Sequence, residues 1–350
     1  MNDNELTTSD VLADFSKNLC NIYQDDDDDN DSEPISLSEN AYYTESEFID
    51  FIESQHINNA NNLTIISINI ANILSKLSSL KKFVSYISSK GNKPDIIVVV
   101  ETHITDFNAG LDTGTLGHIV PGYQFFHKGR GSKKGGGVGI FVNNDIKAEP
   151  KICSLTEKKV KFCDEKFENI VVRIPGCINS NWNGSSKDLL VVAIYRQPNS
   201  DNLETFLGCF EKMLNTIDKS KNEIVIAGDM NLDLLKYESH LPTSKYLDTM
   251  TNHKILPRIV RPTRIKKQSA TLIDHILTRD NANTLISGII DTELAGSSGY
   301  TDHKPIFTIL RSKLPRKDNS KIKISYFTQE GNMKRRWTTV TKLGSYTVAK

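Results

Sequence analysis

From Leu63 to Leu310 the chain is a succession of short apolar runs separated by turn clusters and by stretches of helical spacing, the longest runs being Ile96 to Val100 and Leu189 to Tyr195. Runs of that length suit buried strands, and they fall well short of the roughly 18 apolar residues that span a bilayer as a helix. The alternation points to a mixed α/β layered domain. Strands are expected at Thr64 to Ile68, Ile96 to Val100, Gln124 to His127, Gly137 to Val142, Asn169 to Ile174, Leu189 to Ile194, Ile224 to Ala227, Thr271 to Leu277 and Ile306 to Leu310. Helices are expected at Lys76 to Ser88, Leu203 to Ile217 and Tyr246 to Asn252. No linker divides this region, so one large domain is expected over 63–310.

Charge separates the flanks from this domain. Although 43 basic and 43 acidic side chains cancel overall, residues 1–53 carry a net −15, residues 311–350 a net +9 and residues 54–310 a net +6. The acidic run Asp25 to Asp29 repels itself and buries nothing, so residues 1–62 read as a largely disordered arm and linker, with short helices allowed at Val11 to Leu19 or Glu45 to Ile52. The basic tail 311–350 reads as mostly unstructured. Five scattered cysteines without a Cys-x-x-Cys pair fit neither a disulfide framework nor a zinc site. With no basic, apolar leader at the N-terminus, a reducing intracellular compartment is the expectation.

The residues at the ends of the buried runs carry the most information. Asn69, Glu101, Tyr195 and Asp229-Met230-Asn231 close four of them, Asp274-His275 comes directly after Leu272-Ile273, and Asp302-His303 precedes the strand from Ile306. One polar strand end is ordinarily where the chain meets water. Six from different parts of one chain suggest a ligand site, because open α/β sheets gather such sites at strand ends. Carboxylates, carboxamides, a phenol and an imidazole make an oxygen-rich set suited to Mg²⁺ or Mn²⁺, with a histidine able to move a proton or balance phosphoryl charge. No Gly-x-Ser-x-Gly elbow is present, so metal-assisted hydrolysis of a phosphate ester suits these residues better than acyl transfer.

With these residues assembled, the chain resembles the endonuclease/exonuclease/phosphatase superfamily of DNase I-like fold, and within it the endonuclease domain of non-LTR (LINE-like) retrotransposons. The matching segments, in family order, are Ser67-Ile68-Asn69, Val100-Glu101-Thr102-His103, Gly135-Gly136-Gly137-Val138-Gly139-Ile140, Tyr195-Arg196-Gln197-Pro198, Gly228-Asp229-Met230-Asn231-Leu232-Asp233-Leu234, Arg261-Pro262-Thr263-Arg264, Thr271-Leu272-Ile273-Asp274-His275-Ile276 and Thr301-Asp302-His303-Lys304-Pro305. The resemblance implies a four-layer α/β sandwich of two packed mixed sheets flanked by helices, with the site at the sheet edge.

Carried over residue by residue, it implies that Glu101 binds a divalent metal with Asn69 at or near its shell, and that Asp229 orients or deprotonates the attacking water. Asn231 and Tyr195 would hold phosphate oxygens, His303 would contact the scissile phosphate with Asp274 fixing its ring, and Asp302 would complete the metal or histidine environment. Thr263 falls where relatives place a hydroxyl near the phosphate. Three positions depart from the pattern: Ala71 stands where relatives carry Asp or Arg, Thr301 replaces a Ser, and Met230 replaces a common Phe.

The glycine- and lysine-rich segment 127–137 fails as a phosphate loop, having no Lys-Ser/Thr at the required spacing; a hairpin turn explains its glycines. Its bases, among them Arg130 and Lys133, and Arg264 with its neighbours Arg258, Arg261, Lys266 and Lys267, are candidate contacts to a nucleic-acid backbone. Lys334-Arg335-Arg336 with Trp337 is a candidate nucleic-acid or nuclear-entry patch. Of eight histidines, His303 is the one expected in the site; His103 and His275 are expected to pack or to face solvent, because neighbours along a strand point to opposite faces.

The expectation is thus a metal-dependent endonuclease that nicks double-stranded DNA in a nuclear compartment. A retrotransposon reverse transcriptase encoded elsewhere or lost would be its partner, and no membrane is involved. A small-molecule phosphoesterase and a catalytically dead binding remnant are the alternatives.

Overall fold

The computed structural model describes residues 40–55, 61–104, 119–129, 135–146, 148–150, 167–179, 186–198, 203–220, 222–266, 268–279, 283–292, 301–312, 323–327 and 333–337. Two sheets form its centre. The first has seven strands: β1 (Tyr42–Thr44), β2 (Asn62–Asn69), β3 (Ile96–Val100), β4 (Tyr123–Lys128), β5 (Val138–Asn143), β14 (Thr284–Asp291) and β15 (Ile306–Arg311), in the order β1-β14-β15-β2-β3-β5-β4. The second has six: β6 (Glu149–Pro150), β7 (Phe167–Asn179), β8 (Ser186–Arg196), β9 (Glu223–Asp229), β10 (Ile255–Pro257) and β13 (Asp274–Arg279), in the order β10-β13-β9-β8-β7-β6. A small hairpin, β11 (Arg264–Lys266) with β12 (Ser269–Thr271), stands outside both, and β16 (Lys323–Phe327) pairs with β17 (Met333–Trp337) in the basic tail. Each sheet has one parallel pair at its centre, β2 with β3 and β8 with β9, so two strand C-termini end together in each.

Alternation along the strands sorts side chains into two cores. Ile65, Val98, Ile140 and Val142 of the first sheet meet Val191, Ala193, Val225 and Ala227 of the second. The opposite face of the first sheet, with Ile66, Ile97, Val99 and Phe307, is covered by α1 (Glu45–Ser54) and α2 (Ile73–Ser89). Helices α3 (Leu203–Ser220) and α4 (Leu241–Asn252) bury Phe206, Phe210, Tyr246 and Met250 on the far side of the second sheet. The result is the helix–sheet–sheet–helix sandwich that the resemblance implied. Strands buried on both faces are the reason so many of them are unbroken Ile and Val runs.

Every expected strand is present, several of them longer than the apolar run, and so are the three expected helices. Four differences have local causes. The run Thr271 to Leu277 divides at Leu272-Ile273, where the chain leaves the small hairpin and enters the second sheet as β13. β14 is hidden in the sequence because Ser287 and Gly288 interrupt its apolar pattern. α4 begins at Leu241, ahead of its apolar face, since Pro242 is tolerated in a first turn. The sandwich also takes in residues upstream of Leu63: β1 pairs in parallel with β14, and α1, started by a Thr44/Glu47 capping box, buries Phe48, Ile49 and Ile52. Burying a phenylalanine is worth about 1.5–3 kcal/mol, enough to hold a three-turn helix whose outer face is acidic. Asn40 fixes the start of this segment, donating to the carbonyls of Arg258 and Ser287 at 3.0 Å each and accepting from the Val260 amide at 2.6 Å. The expected helix at Val11 to Leu19 lies outside the described residues. Among the described residues no helix is long and apolar enough to cross a membrane.

Candidate active site

Because β2 and β3 are parallel and in register from Ile65/Ile96 to Asn69/Val100, Asn69 and Glu101 emerge at the same edge of the first sheet. Parallel β8 and β9 bring Tyr195 beside Asp229 in the second sheet, and antiparallel β13 starts with Asp274 opposite Asp229. The two sheets face each other, so these strand ends converge. The segment that leads into β15 then delivers Asp302 and His303, which Thr301 secures by donating its hydroxyl to the Asn69 carbonyl at 3.0 Å.

One continuous set of hydrogen bonds joins the group. The Asn69 side-chain amide donates to Glu101 Oε1 and to Asp229 Oδ2, each at 2.9 Å, and its Oδ1 accepts from the Ala71 amide at 3.2 Å. Asp229 Oδ1 accepts from the Asn231 amide at 2.8 Å. The Asn231 side chain donates to the Arg196 carbonyl at 2.6 Å, while the Arg196 guanidinium returns bonds to the carbonyls of Met230 and Asn231, also at 2.6 Å. His303 Nδ1 donates to Asp274 at 2.8 Å and lies 4.0 Å from Asp229 Oδ2. Asp274 is itself held by Thr263, whose hydroxyl donates to Oδ2 at 2.7 Å and accepts from the Asp274 amide at 3.1 Å. With Nδ1 committed to Asp274, His303 Nε2 is turned to the mouth of the site, 3.8 Å from Asp302 Oδ1.

Burial gives these charges their strength. Burial first, and then the neighbouring Asp274 charge, push Asp229 up to about 8. Burial alone would lower the pKa of His303, but Asp274 in contact with it, and Asp229 and Asp302 nearby, raise it to about 9. Asp302 behaves oppositely: against a desolvation effect that raises it, hydrogen bonds from Lys266 and Arg264 hold it at about 2. At neutral pH the site therefore holds a histidinium against a cluster of carboxyl groups.

All of Asn69, Glu101, Asp229, Asn231, Asp274 and His303 are brought together, with Tyr195 adjoining by strand register and Thr263 behind Asp274. Arg264 and Asp302 sit at the rim, bonded to each other at 2.8 Å. Arg130 and Lys133 lie outside the described residues. His275 is buried on the helix side, as alternation requires: its ring contacts the Leu272 carbonyl at 3.1 Å and the Tyr246 hydroxyl at 3.4 Å, and burial drives it down to about 4.

His103 breaks the expectation, with Nε2 3.5 Å from Glu101 Oε2. The opposite-face rule applies to adjacent residues, whereas Glu101 and His103 are two apart; both also lie past β3 with φ of +54°, where the chain is no longer extended. Two more residues, neither of them among the expected site residues, join the site, although Arg196 stands in the matched segment Tyr195-Arg196-Gln197-Pro198. Arg196 braces the Asn231 turn, and Lys76 reaches back from α2 to the Ala71 carbonyl at 3.4 Å, within the electrostatic reach of Glu101 and Asp302. The helical period marks Lys76 only as polar; nothing local says which way it points.

The donor set fits a hard divalent cation. Asp229 and Asp274 offer carboxyl oxygens within 4.8 Å of each other and of His303, and Glu101 is linked to Asp229 through Asn69, so oxygen atoms rather than the protonated histidine would be the ligands. Burial first and the Asp274 charge second raise Asp229, and a cation bound among these carboxyl groups would counter the second effect.

Solved structures share this architecture. The AP endonuclease LMAP from Leishmania major aligns with a TM-score of 0.54 at 14% identity, over 87% of this chain and 99% of that one. The APE2 catalytic domain of Xenopus laevis gives 0.51 at 16%, over 73% and 94%. The endonuclease domain of TRAS1, a telomere-specific non-LTR retrotransposon, gives 0.50 at 12%, over 72% and 99%. No curated protein matches the chain in sequence. The sequence profile of the Endonuclease/Exonuclease/phosphatase family matches residues 66–303, a span that opens just before Asn69 and closes on His303. Profile, sandwich and strand-end cluster agree, and the chain belongs to the endonuclease/exonuclease/phosphatase family of nucleases and phosphatases.

Proposed function

We propose that this protein is a divalent-metal-dependent endonuclease that nicks double-stranded DNA, leaving an end that a retrotransposon reverse transcriptase can extend. The observation that carries the reading is the His303–Asp274 pair set against Asp229 and the Asn69–Glu101 bridge. The similarity of the fold to AP-endonuclease and retrotransposon-endonuclease structures favours a nucleic-acid substrate over a small phosphoester.

In this reading Glu101, with Asn69 beside it, holds Mg²⁺ or Mn²⁺, which when bound offsets phosphate charge and polarises the ester. The chain's own groups do the rest. Asp229, whose pKa raised to about 8 makes its carboxylate form a stronger base than a free one, orients the attacking water and accepts its proton. His303 presents a positively charged Nε2 to a phosphoryl oxygen, with its ring fixed by Asp274 and that carboxylate fixed in turn by Thr263. Asn231 and Tyr195 flank the phosphate, and Arg264, with Arg130 and Lys133, contacts the backbone to either side. The working compartment is nuclear.

The test is conversion of supercoiled plasmid to open circle with Mg²⁺. Glu101→Ala and His303→Ala should each lower the rate by about 10²-fold or more. Parent protein that leaves the plasmid supercoiled while it hydrolyses a small phosphomonoester rejects the DNA reading. Variants as active as the parent reject the site.

A further inference from the structure

The β11–β12 hairpin consists of three residue pairs, Arg264 to Thr271, Ile265 to Ala270 and Lys266 to Ser269, and belongs to neither large sheet. An isolated two-stranded ribbon of that length is marginal in water, so something else must hold it. Among the described residues, its contacts beyond its own strand pairs fall on residues 302–304, while its base is tied separately, Thr263 to Asp274 and Leu272 to Asp233. Lys304 donates its amide to the Thr263 carbonyl at 2.8 Å, Ile265 donates to the Asp302 carbonyl at 3.3 Å, and Arg264 forms a bridge with His303. Between these backbone contacts, Arg264 Nε at 2.8 Å and Lys266 Nζ at 3.0 Å converge on the same oxygen of Asp302, Oδ2.

That convergence assigns Asp302 a role other than the one family resemblance suggests. A carboxylate oxygen with two cations on it has little capacity left for a metal ion, and the other oxygen is directed at His303 Nε2, 3.8 Å away. Glu101 differs: only one of its oxygens accepts from Asn69, and no Lys or Arg lies within ion-pair distance of it among the described residues.

We propose that Asp302 is a positioning residue, a clamp that fixes the β11–β12 hairpin and its two cations against the active-site rim rather than a ligand of the catalytic metal. Arg264 and Lys266, two residues apart on β11, are thereby held together beside the residue that meets the scissile phosphate. Cations ordered before binding lose less rotamer freedom when a phosphodiester backbone arrives, so the clamp contributes to substrate affinity rather than to the chemical step. The inference rests on the nucleic-acid reading only for that last consequence; the clamp itself is a statement about the free protein.

Amide hydrogen exchange of the full chain, with Mn²⁺ binding measured by calorimetry, tests it without reference to activity. Asp302→Asn should speed exchange over residues 261–272 about 2- to 5-fold, the range expected for a partly exposed ion pair, and leave the Mn²⁺ dissociation constant within about 2-fold of the parent. Arg264→Gln combined with Lys266→Gln should speed the same segment to a similar degree, and adding Asp302→Asn to that pair should change little more, because the three groups act as one unit. With a DNA duplex, Asp302→Asn should raise KM about 5-fold and leave kcat within about 2-fold. Unchanged hairpin exchange in Asp302→Asn overturns the clamp whatever the metal does. So does an approximately tenfold loss of Mn²⁺ affinity, which returns Asp302 to the ligand set. If the parent protein cuts no DNA, the exchange and calorimetry results still decide the clamp, so its failure and that of the endonuclease reading are separable.

Discussion

Asn69 Nδ2 donates to Asp229 Oδ2 at 2.9 Å, a bond between residues 160 positions apart that ties the end of β2 in one sheet to the end of β9 in the other. The same nitrogen reaches Glu101 at 2.9 Å, so one carboxamide keeps two carboxylates at fixed separation. Asn69→Ala should therefore damage both stability and activity. Leaving the buried Asp229 acceptor and the half-buried Glu101 acceptor unmatched costs about 1–3 kcal/mol, visible as a lower thermal midpoint, and nicking should fall by about 10²-fold. Asn69→Asp should be worse in the absence of metal, since it adds a third charge, and added Mg²⁺ should recover part of its midpoint. A variant that melts and cuts like the parent would show that the bridge is incidental.

The His303–Asp274 pair sets a pH dependence whose sign is given by the direction of its shift. The histidine pKa is raised from 6.5 to about 9, so the folded state binds this proton more tightly than the unfolded chain does. Its stabilising contribution is fully present below about 6.5 and is lost as pH rises through about 9. Asp229, raised from 3.8 to about 8, also binds its proton more tightly when folded and adds to the decline over the lower part of that range. In chelator, the parent's midpoint should fall from pH 6.5 to pH 9 more steeply than that of Asp274→Asn. Equal slopes for the two proteins would argue against a charged pair.

Thr263 is a test of orientation rather than of binding. Its hydroxyl both donates to Asp274 and accepts from its amide, and it is fully buried. Thr263→Val keeps the shape and removes both bonds, so kcat should drop about 10-fold with KM near the parent value, while Thr263→Ser should restore most of the rate. Steady-state kinetics on a nicked-product assay reads the difference. A Ser variant as poor as Val would point to packing instead.

Gly228 precedes Asp229 with a φ of +142°, and a Cβ at this position would lie 1.9 Å from the Ile194 carbonyl oxygen of the neighbouring strand. The oxygen belongs to backbone in the middle of a paired sheet and the Cβ would be fixed to backbone in the adjacent strand, so neither can move aside cheaply. Gly228→Ala should destabilise by about 3–5 kcal/mol in denaturant titrations, the range of severe core and backbone clashes. A loss below about 1 kcal/mol would mean that β8 and β9 part more easily than their register implies.

Much of this is legible in the amino acids. Ile96 to Val100 and Leu189 to Tyr195 are readable as strands because short unbroken apolar runs rich in Val and Ile suit a strand buried on both faces. Glu101, Asp229 and His303 stand out because each adjoins such a run. β14, by contrast, carries Ser287 and Gly288, and the Ser287 hydroxyl pairs with Thr308 across the sheet, a partner that no local pattern announces. His103 departs from its expected place because the opposite-face rule separates adjacent residues only, and His103 stands two positions beyond Glu101.

The sequence by itself determined most of the segments that become strands and helices, which polar residues stand at strand ends, and the charge asymmetry between the arm and the rest, because these depend on side-chain chemistry and on periods of two or 3.6 residues. Only the tertiary structure decided that Asn69 bridges Glu101 and Asp229, that Asp302 is occupied by Arg264 and Lys266, and that residues 40–55 complete the first sheet. Those contacts join positions brought together by sheet order and register. Register is fixed by the packing of two cores at once, a property of the whole chain that no short stretch of it carries.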